Sequence, residues 1–560
     1  MEGARWNRGA RMWEFKNSFR NHFALKILMD PVSTLRPWDV LPELPDTDWG
    51  DITPYGHQVD MLRHIQRKRA IIVGQVGVGK TFPVMKYMER TRRLHPTGRI
   101  FYVAPRSGMI SIRRELDKFN CTADPELMTY EGLKKMLKHW VDGEEPPILL
   151  ILDESSRVKS PKAQRSTAAL YCSNQMALFW KGEESVILMT GTPSPRDPCD
   201  WWMQCEIARP GFLREGDIHK FRRRLGIYEK AEGDHGSYPK LVQWKDGSEC
   251  ITCRRYKDAL AEVEELANMV AEMPGQDQII GAEKQAKWVQ TSIADYHTRL
   301  KGCPYCHGTG YLPDEVGLLG RRMSGLVEVW NKDVLDLPRQ VFVKLRCEPP
   351  QSLINAAQII AQTSGSVIEC LNKLRQLSDG FLYDDDKVAQ YGPSGKDALL
   401  NGLLDQYRDV GRGVVYAAYH ASVDRVTNLC KKAGWNVWKM DGRGVETWDG
   451  RGSDSAYAHF QDGEGGEGDP VVFVAHPKSG GMALTLTRSP WLNFFSNDFD
   501  GESREQGEGR IHRPGMDINK GATVYDFVNL PVDELVIDKL TSKRRLQTTT
   551  MSEILACLYK

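Results

Sequence analysis

The stretch IIVGQVGVGKT, Ile71 to Thr81, passes from a short apolar run into a glycine-rich loop that closes on Lys80 and Thr81. Gly74, Gly79, Lys80 and Thr81 satisfy the spacing G-x-x-x-x-G-K-T, and Gly77 adds a third loop position without a Cβ atom. Such a backbone can turn successive N–H groups inward around phosphate oxygens, while the lysine reaches the β/γ-phosphates and the threonine hydroxyl meets Mg²⁺. The pattern predicts a strand, a phosphate loop of Walker A type and a helix, hence an α/β fold that binds ATP. A glycine turn can match this spacing by chance. A working triphosphate site also needs a carboxylate for the metal, a group that orients water and an arginine that neutralises charge.

The carboxylates appear in PPILLILDESSRVKSP, where a buried-strand run ends in Asp153 and Glu154. Asp153 is placed to hold Mg²⁺ and Glu154 to orient and deprotonate the attacking water. Upstream, ITPYGHQVDMLRHIQ has helical periodicity and carries Gln58, whose amide has both a donor and an acceptor to offer the edge of adenine. RIFYVAPRSG, ELMTYEGLKKML and SVILMTGTP supply further strands, each ending in small, polar or hydroxyl residues. The arginines appear in REQGEGRIHRPG, where Arg510 and Arg513, three apart on one helix face, can point together across a cleft.

Taken together, YGHQ, GQVGVGKT, DESSRVKS and MTGTP resemble the first RecA-like lobe of superfamily 2 helicases, and most closely the Snf-type (sucrose-nonfermenting) DNA translocases. DWWMQCEIARPGF, LDLPRQVFVKL, CLNKLRQLSDGFLY, VVYAAYHASVDRV, SGGMALTLT and REQGEGRIHRPG continue the likeness, which covers about 50 to 230 and 335 to 545. It implies two RecA-like P-loop lobes, a nucleotide in the cleft between them, contacts to that nucleotide from Gln506, and completion of the site by Arg510 and Arg513. It also implies nucleic-acid contacts at Arg106 and Ser107, at Thr129 and Tyr130, and at the glycine pair motif Ser479, Gly480 and Gly481. The chain departs from the family at three motifs. D-E-A-H is Asp153-Glu154-Ser155-Ser156, G-L-N-L is Ala483-Leu484-Thr485-Leu486, and the tryptophan of the motif after the second strand is Ile112. These changes touch coupling to DNA rather than the hydrolytic residues.

Between the lobes, Cys250-Ile-Thr-Cys253 and Cys303-Pro-Tyr-Cys306 can supply four thiolates to a structural zinc, with glycines after the second pair as in a DnaJ-type knuckle. His307 is an alternative ligand. Tyr256, Leu260, Val263, Leu266 or Ala267, Val270 and Met273 recur at three- and four-residue steps. So do Ala282, Ala286, Val289, Ile293, Tyr296 and Leu300. Two helices broken at Pro274-Gly275 should pair as an antiparallel hairpin roughly 27 Å long at about 1.5 Å per residue. One cysteine pair stands at each open end, so a metal would clamp the hairpin's base.

The expected organisation is an arginine- and aromatic-rich arm (1–45), a first lobe (46–230), an insertion (231–334) and a second lobe (335–560). The arm could track a phosphate backbone or pack on the motor. With 75 basic and 74 acidic residues, net charge +1, any nucleic-acid footprint is local rather than global. No apolar run approaches the ~18 residues of a membrane span, and no secretory leader precedes the arm. The reading is a cytoplasmic motor of a bacterial cell or bacteriophage that uses ATP, Mg²⁺ and Zn²⁺ on double-stranded DNA, with RNA the less favoured track. A protein partner at the insertion is a further expectation. The competing readings are a strand-separating DNA or RNA helicase, and a nucleic-acid scaffold with little turnover.

Overall fold

The computed structural model describes residues 42–541, apart from 76, 107, 139, 141–143, 192–197, 234–235, 272–281, 331–334, 336, 385–386, 391, 393, 464–468 and 481–483. Nearer the N-terminus it describes the strands Arg5–Asn7 and Met12–Glu14, which pair antiparallel. The rest of the expected arm to 41, the helix break at Pro274-Gly275, Ser107 and Gly481 lie outside the described residues.

Two parallel sheets carry the fold. The first has six strands in the order Val327–Trp330, Arg69–Gly74, Ser185–Thr190, Leu149–Asp153, Ile100–Ala104 and Glu126–Thr129, every neighbouring pair parallel. Its strands are apolar on both faces, as a sheet covered by helices on both sides requires. The alternation is visible residue by residue: Ile71, Val73, Leu150 and Leu152 enter one core, while Ala70, Ile72, Leu149 and Ile151 enter the other. The second sheet runs Val341–Arg346, Thr523–Val528, Trp491–Phe494, Arg412–Tyr416, Val471–Ala475, Asn436–Asp441 and Gly444–Glu446, parallel except for its last pair.

The expected division at 231–334 needs a correction. The edge strand of the first sheet, Val327–Trp330, comes from that stretch and lies parallel to the Walker strand. The helix Glu315–Met323 before it sends Leu319 and Met323, followed by Leu326, into the first lobe's core. These apolar side chains gain more by joining that core than by staying on a projection, so the chain returns to the first lobe well before 334.

The projecting part has two pieces. Gly226–Gly233 and Gly236–Trp244 form an antiparallel ribbon. Ile251–Ala271 and Ala282–Lys301 then pack against one another, with Tyr256 and Tyr296 ring centroids 6.3 Å apart across the seam. Leu260 and Val263 are buried as expected. At the position left open between Leu266 and Ala267, Leu266 is exposed and Ala267 is the one half-buried, so the seam runs through the alanine.

The second lobe contains a buried charged knot. Lys396 has no exposed surface and donates to Asp379 at 2.8 Å and Asp533 at 3.2 Å. Asp379 accepts in turn from Ser422 Oγ, and Asp533 from Ser378 Oγ, each at 2.5 Å. This knot ties the helices Val367–Ser378, Gly395–Gln406 and His420–Lys432 to the helix Pro531–Thr541.

Candidate nucleotide site and metal centre

The phosphate loop joins the strand Arg69–Gly74 to the helix Thr81–Leu94, so the helix N-terminus points its free N–H groups at whatever the loop encloses. Gly77 and Gly79 have φ of 97° and 78°, a left-handed backbone that favours glycine. Space argues the same way. A Cβ on Gly79 would stand 2.5 Å from Gln58 Nε2, and one on Gly77 would stand 2.8 Å from the Cβ of Arg513. Arg513 belongs to the second lobe, so the two lobes meet at the loop. Lys80 Nζ donates to the carbonyl of Gly74 at 2.6 Å, curled over its own loop.

Asp153 ends the strand Leu149–Asp153, which is separated from the Walker strand by Ser185–Thr190, and Glu154 follows it. Asp153 accepts from Tyr102 Oη at 3.2 Å and from the backbone N–H of Glu154 at 3.0 Å. Glu154 has φ of 53°, a strained conformation for a residue with a side chain. Its Oε2 is buried without a hydrogen-bond partner, and so is Nη2 of Arg513. Burial raises the pKa of Asp153 against the pull of Lys80; burial and then Asp153 raise that of Glu154. Burial lowers Lys80 despite the two carboxylates, and burial followed by Arg510 lowers Arg513. Three cations crowding a loop of N–H groups, with an unsatisfied guanidinium nitrogen and an unsatisfied carboxylate oxygen, fit a polyanion with a hard cation and a water.

The helix Gly501–Ile511 and the turn after it deliver the arginines. Arg510 donates to the carbonyl of Leu484 at 3.2 Å, and Arg513 to Thr485 Oγ1 at 3.1 Å and the carbonyl of Gly509 at 2.8 Å. Leu484 and Thr485 of the altered motif therefore aim both guanidiniums. Arg504, at the start of the same segment, is buried and bonded to both oxygens of Asp526 at 2.7 Å, which seats the helix on its sheet. Gln506 is buried, and its Nε2 donates to Glu502 at 3.4 Å.

The hydroxyls that replace the family's alanine and histidine reach in opposite directions. Ser155 donates to Gln204 inside the first lobe at 2.8 Å, and Ser156 donates to Glu502 of the second lobe at 3.2 Å. Gln58 lies at the loop, with its amide engaged there. Its Oε1 accepts from Tyr55 N–H at 3.0 Å and its Nε2 donates to the Gly79 carbonyl at 3.2 Å. His57 adds a 2.8 Å contact to the Val78 carbonyl.

Among the expected nucleic-acid contacts, Arg106 is exposed. Ser479 and Gly480 lie in the short helix Pro477–Gly480. Thr129 accepts from the N–H of Gly132 at 3.0 Å and caps the next helix. Tyr130 is corrected: it is 3% exposed and its hydroxyl donates to the Asp153 carbonyl at 2.7 Å, so it braces the carboxylate strand and presents nothing to a ligand outside. Ile112, in place of the family's tryptophan, is buried in the first lobe's core.

One residue of the site was not singled out from the sequence. Glu115, on the helix Gly108–Lys118, lies near the phosphate site, where its charge acts on Asp153, Arg510 and Arg513. It follows buried Ile112 by one helical turn. That spacing is the signal which could have placed it on the inward face.

The four cysteines come together at the base of the hairpin. Their sulfurs all lie within 4.8 Å of one another, with Cys250 and Cys303 3.9 Å apart and Cys253 and Cys306 3.3 Å apart. All four are buried, while His307 is exposed and stands outside the group. Burial works to raise the Cys306 thiol, but hydrogen bonds from Cys253 and the backbone of Gly310 outweigh it and bring the pKa down to about 7; burial pushes Cys253 up. Four converging sulfurs, one of them readily ionised, fit a tetrahedral thiophilic ion.

No family model matches the chain. Parts of it are similar to the human Lymphoid-specific helicase, at 23% identity over 171 residues that make up 30% of this chain and 19% of that protein. They are also similar to Chromodomain-helicase-DNA-binding protein 1-like of Danio rerio, at 24% over 164 residues, 29% of this chain and 15% of that one. Helicase ssl-1 of Caenorhabditis elegans matches at 22% over 205 residues, 36% and 8% respectively. The chain thus spans less than a fifth of the length of each of these curated relatives. A solved structure, the Sulfolobus solfataricus SWI2/SNF2 ATPase core in complex with dsDNA, aligns over 92% of this chain and 99% of its own at 15% identity and a TM-score of 0.32. At that score nothing about the fold rests on it. Among the described residues, no helix is long and apolar enough to cross a membrane.

Proposed function

We propose that this chain, which resembles superfamily 2 helicase-type ATPases of the Snf group, is an ATP-driven motor that moves on double-stranded DNA. The observation that carries the reading is the meeting of the lobes at the phosphate loop, where the Cβ of Arg513 stands against Gly77 and beside Lys80, Asp153 and Glu154. The loop N–H groups and Lys80 would hold the β- and γ-phosphates, with Gln58 and Gln506 at the nucleotide's flanks. Thr81 and Asp153 would hold Mg²⁺, which supplies neutralisation of phosphate charge. Glu154 orients water and accepts its proton, and Arg510 and Arg513 meet charge that grows on the transferred group. Because two of these groups come from the second lobe, the site is complete only when the cleft is closed. Hydrolysis and lobe movement are thereby linked.

Arg106, Thr129 and the segment Ser479 to Gly481 are the proposed contacts to DNA, with Ser107 beside the first. The proposed organisation is an arm (1–45), a first lobe (46–230) completed by 315–330, a projection (231–314) and a second lobe (335–560). Zinc at Cys250, Cys253, Cys303 and Cys306 clamps the projection, which is a place for DNA or a protein partner. The reading places the motor in the cytoplasm of a bacterial or phage-infected cell; the relatives above come from animals and lend the bacterial part no support. The test is ATP hydrolysis with and without duplex DNA, alongside triplex displacement on intact duplex and unwinding of a fork. Stimulation by duplex with triplex displacement and an intact fork is the expected result. Fork opening would favour the strand-separating helicase, and no hydrolysis in any condition would favour a scaffold.

A further inference from the structure

We propose that Arg114 is a positioning residue for hydrolysis: it clasps the second lobe through Asp454 and the ring of Tyr457, and so sets how readily the cleft closes over a nucleotide. This rests on the ATP reading above. The contact has two parts. A guanidinium nitrogen of Arg114 donates to Asp454 Oδ1 at 2.6 Å, and the guanidinium carbon stands 4.1 Å from the centroid of the Tyr457 ring. Arginine suits both tasks at once, because its planar and always charged fork can pair with a carboxylate while it lies against an aromatic face.

Both partners come from one helix face. Asp454 and Tyr457 are three apart on the helix Ser453–Asp462. The Tyr457 ring meets fully buried Trp438 edge-on, with centroids 6.2 Å apart, so the platform rests on the second lobe's core. Arg114 is held from the other side. Its helix, Gly108–Lys118, is anchored in the first lobe by buried Ile112. Phe119, just past the end of that helix, packs on Phe82 of the helix Thr81–Leu94 with ring centroids 4.9 Å apart. The clasp therefore joins two packed cores rather than two loose side chains.

Closure is where a contact of this strength matters. The Asp454 side chain is 79% exposed, so solvent screens the pair and its contribution to the stability of either lobe is small. An equilibrium between open and closed lobes is more sensitive, because a contact made only in the closed form shifts it by the contact's full strength. Two other contacts between the lobes, Arg513 against Gly77 and Ser156 to Glu502 at 3.2 Å, involve residues in or beside the nucleotide site. Arg114 is assigned no contact with the nucleotide and acts through closure. Arg510 and Arg513 reach the phosphates only when the cleft is closed, whereas Lys80 and Thr81 belong to the first lobe and serve in either form. Loss of the clasp should slow hydrolysis and spare affinity.

The experiment measures steady-state ATP hydrolysis by the full chain, with and without duplex DNA, and binding of a fluorescent ATP analogue that cannot turn over, with thermal melting of each variant alongside. Arg114→Ala should lower kcat roughly three- to tenfold, with little change in analogue affinity or melting temperature. Asp454→Ala should lose less, since the Tyr457 ring still holds the guanidinium. The double variant should be no slower than Arg114→Ala alone, as expected of two residues that act through one contact. Arg114→Lys keeps the charge but cannot lie flat on the ring, so it should fall between. Exchanging the charges, Arg114→Asp with Asp454→Arg, should recover part of the rate that Arg114→Asp loses. A wild-type kcat in Arg114→Ala, or losses that multiply in the double variant, overturns the proposal. So does an equal loss of affinity and rate with a lowered melting temperature, which marks a purely structural role. If the wild type neither binds the analogue nor hydrolyses ATP, the ATP reading falls and this proposal with it.

Discussion

Replacing Cys303 and Cys306 together by serine should release the base of the projecting hairpin and leave the motor folded. The two closed pairs, Cys250 with Cys303 and Cys253 with Cys306, each span 53 positions. In the chain-entropy account of a cross-link, closing a loop of that length stabilises the closed form by about 4 kcal/mol at 25 °C. A metal that joins the same positions constrains the loop similarly. The hairpin has little else to replace it. Its seam is buried at Leu260 and Val263, whereas Leu266, Met269 and Trp288 are each about half exposed or more. Amide hydrogen exchange across 251–301 should therefore accelerate by roughly a thousandfold in the double variant, which is about 4 kcal/mol at 1.36 kcal/mol per decade. Exchange in the strands Arg69–Gly74 and Leu149–Asp153 should hold its wild-type rate. Elemental analysis should find about one zinc per wild-type chain and none in the variant. DNA-stimulated hydrolysis should fall more than the basal rate. A wild-type protein without zinc, or unchanged exchange in the hairpin of the variant, would refute the clamp. Normal DNA stimulation in a zinc-free variant would keep the clamp and remove its role on DNA.

Lys80→Ala should abolish turnover by removing phosphate charge, whereas Glu154→Gln should keep ATP bound and stop hydrolysis; turnover by the latter at the wild-type rate would mean that the carboxylates are misassigned. Arg513→Ala should leave nucleotide binding largely intact and slow hydrolysis by on the order of 10³ or more. An equal loss of affinity and rate would count against a role in the transition state. Lys396→Met should destabilise the second lobe by about 3–5 kcal/mol, because Asp379 and Asp533 would remain buried without their cation. At 2–4 °C per kcal/mol for a unit of this size, melting of that lobe should drop by on the order of 10 °C. A shift within 2 °C would show that water or a neighbouring group compensates.

The phosphate loop, the carboxylate pair and the arginine pair were legible in the sequence because each is a short contiguous pattern that a strand end or one helix face presents as a unit. The same holds for the four cysteines, whose antiparallel hairpin brings distant pairs together by symmetry alone. Local patterns say nothing of which distant side chain fills the space opposite. Glu115 sits in an ordinary charged helix and acquires its place only when that helix packs on Thr81–Leu94. Tyr130 looks like a residue on offer at a strand end until the sheet turns it inward to Asp153. Val327–Trp330 is too short to declare its sheet, and it joins the first lobe because the Walker strand's open edge can satisfy its backbone there. The serines after Glu154 read as a loss beside the family's motif. Their partners, Gln204 in one lobe and Glu502 in the other, are 49 and 346 positions away. Sequence determines which groups a segment can present, through the 2- and 3.6-residue periods of strand and helix. Pairing across such separations depends on the packing of whole elements, which only the tertiary structure decides.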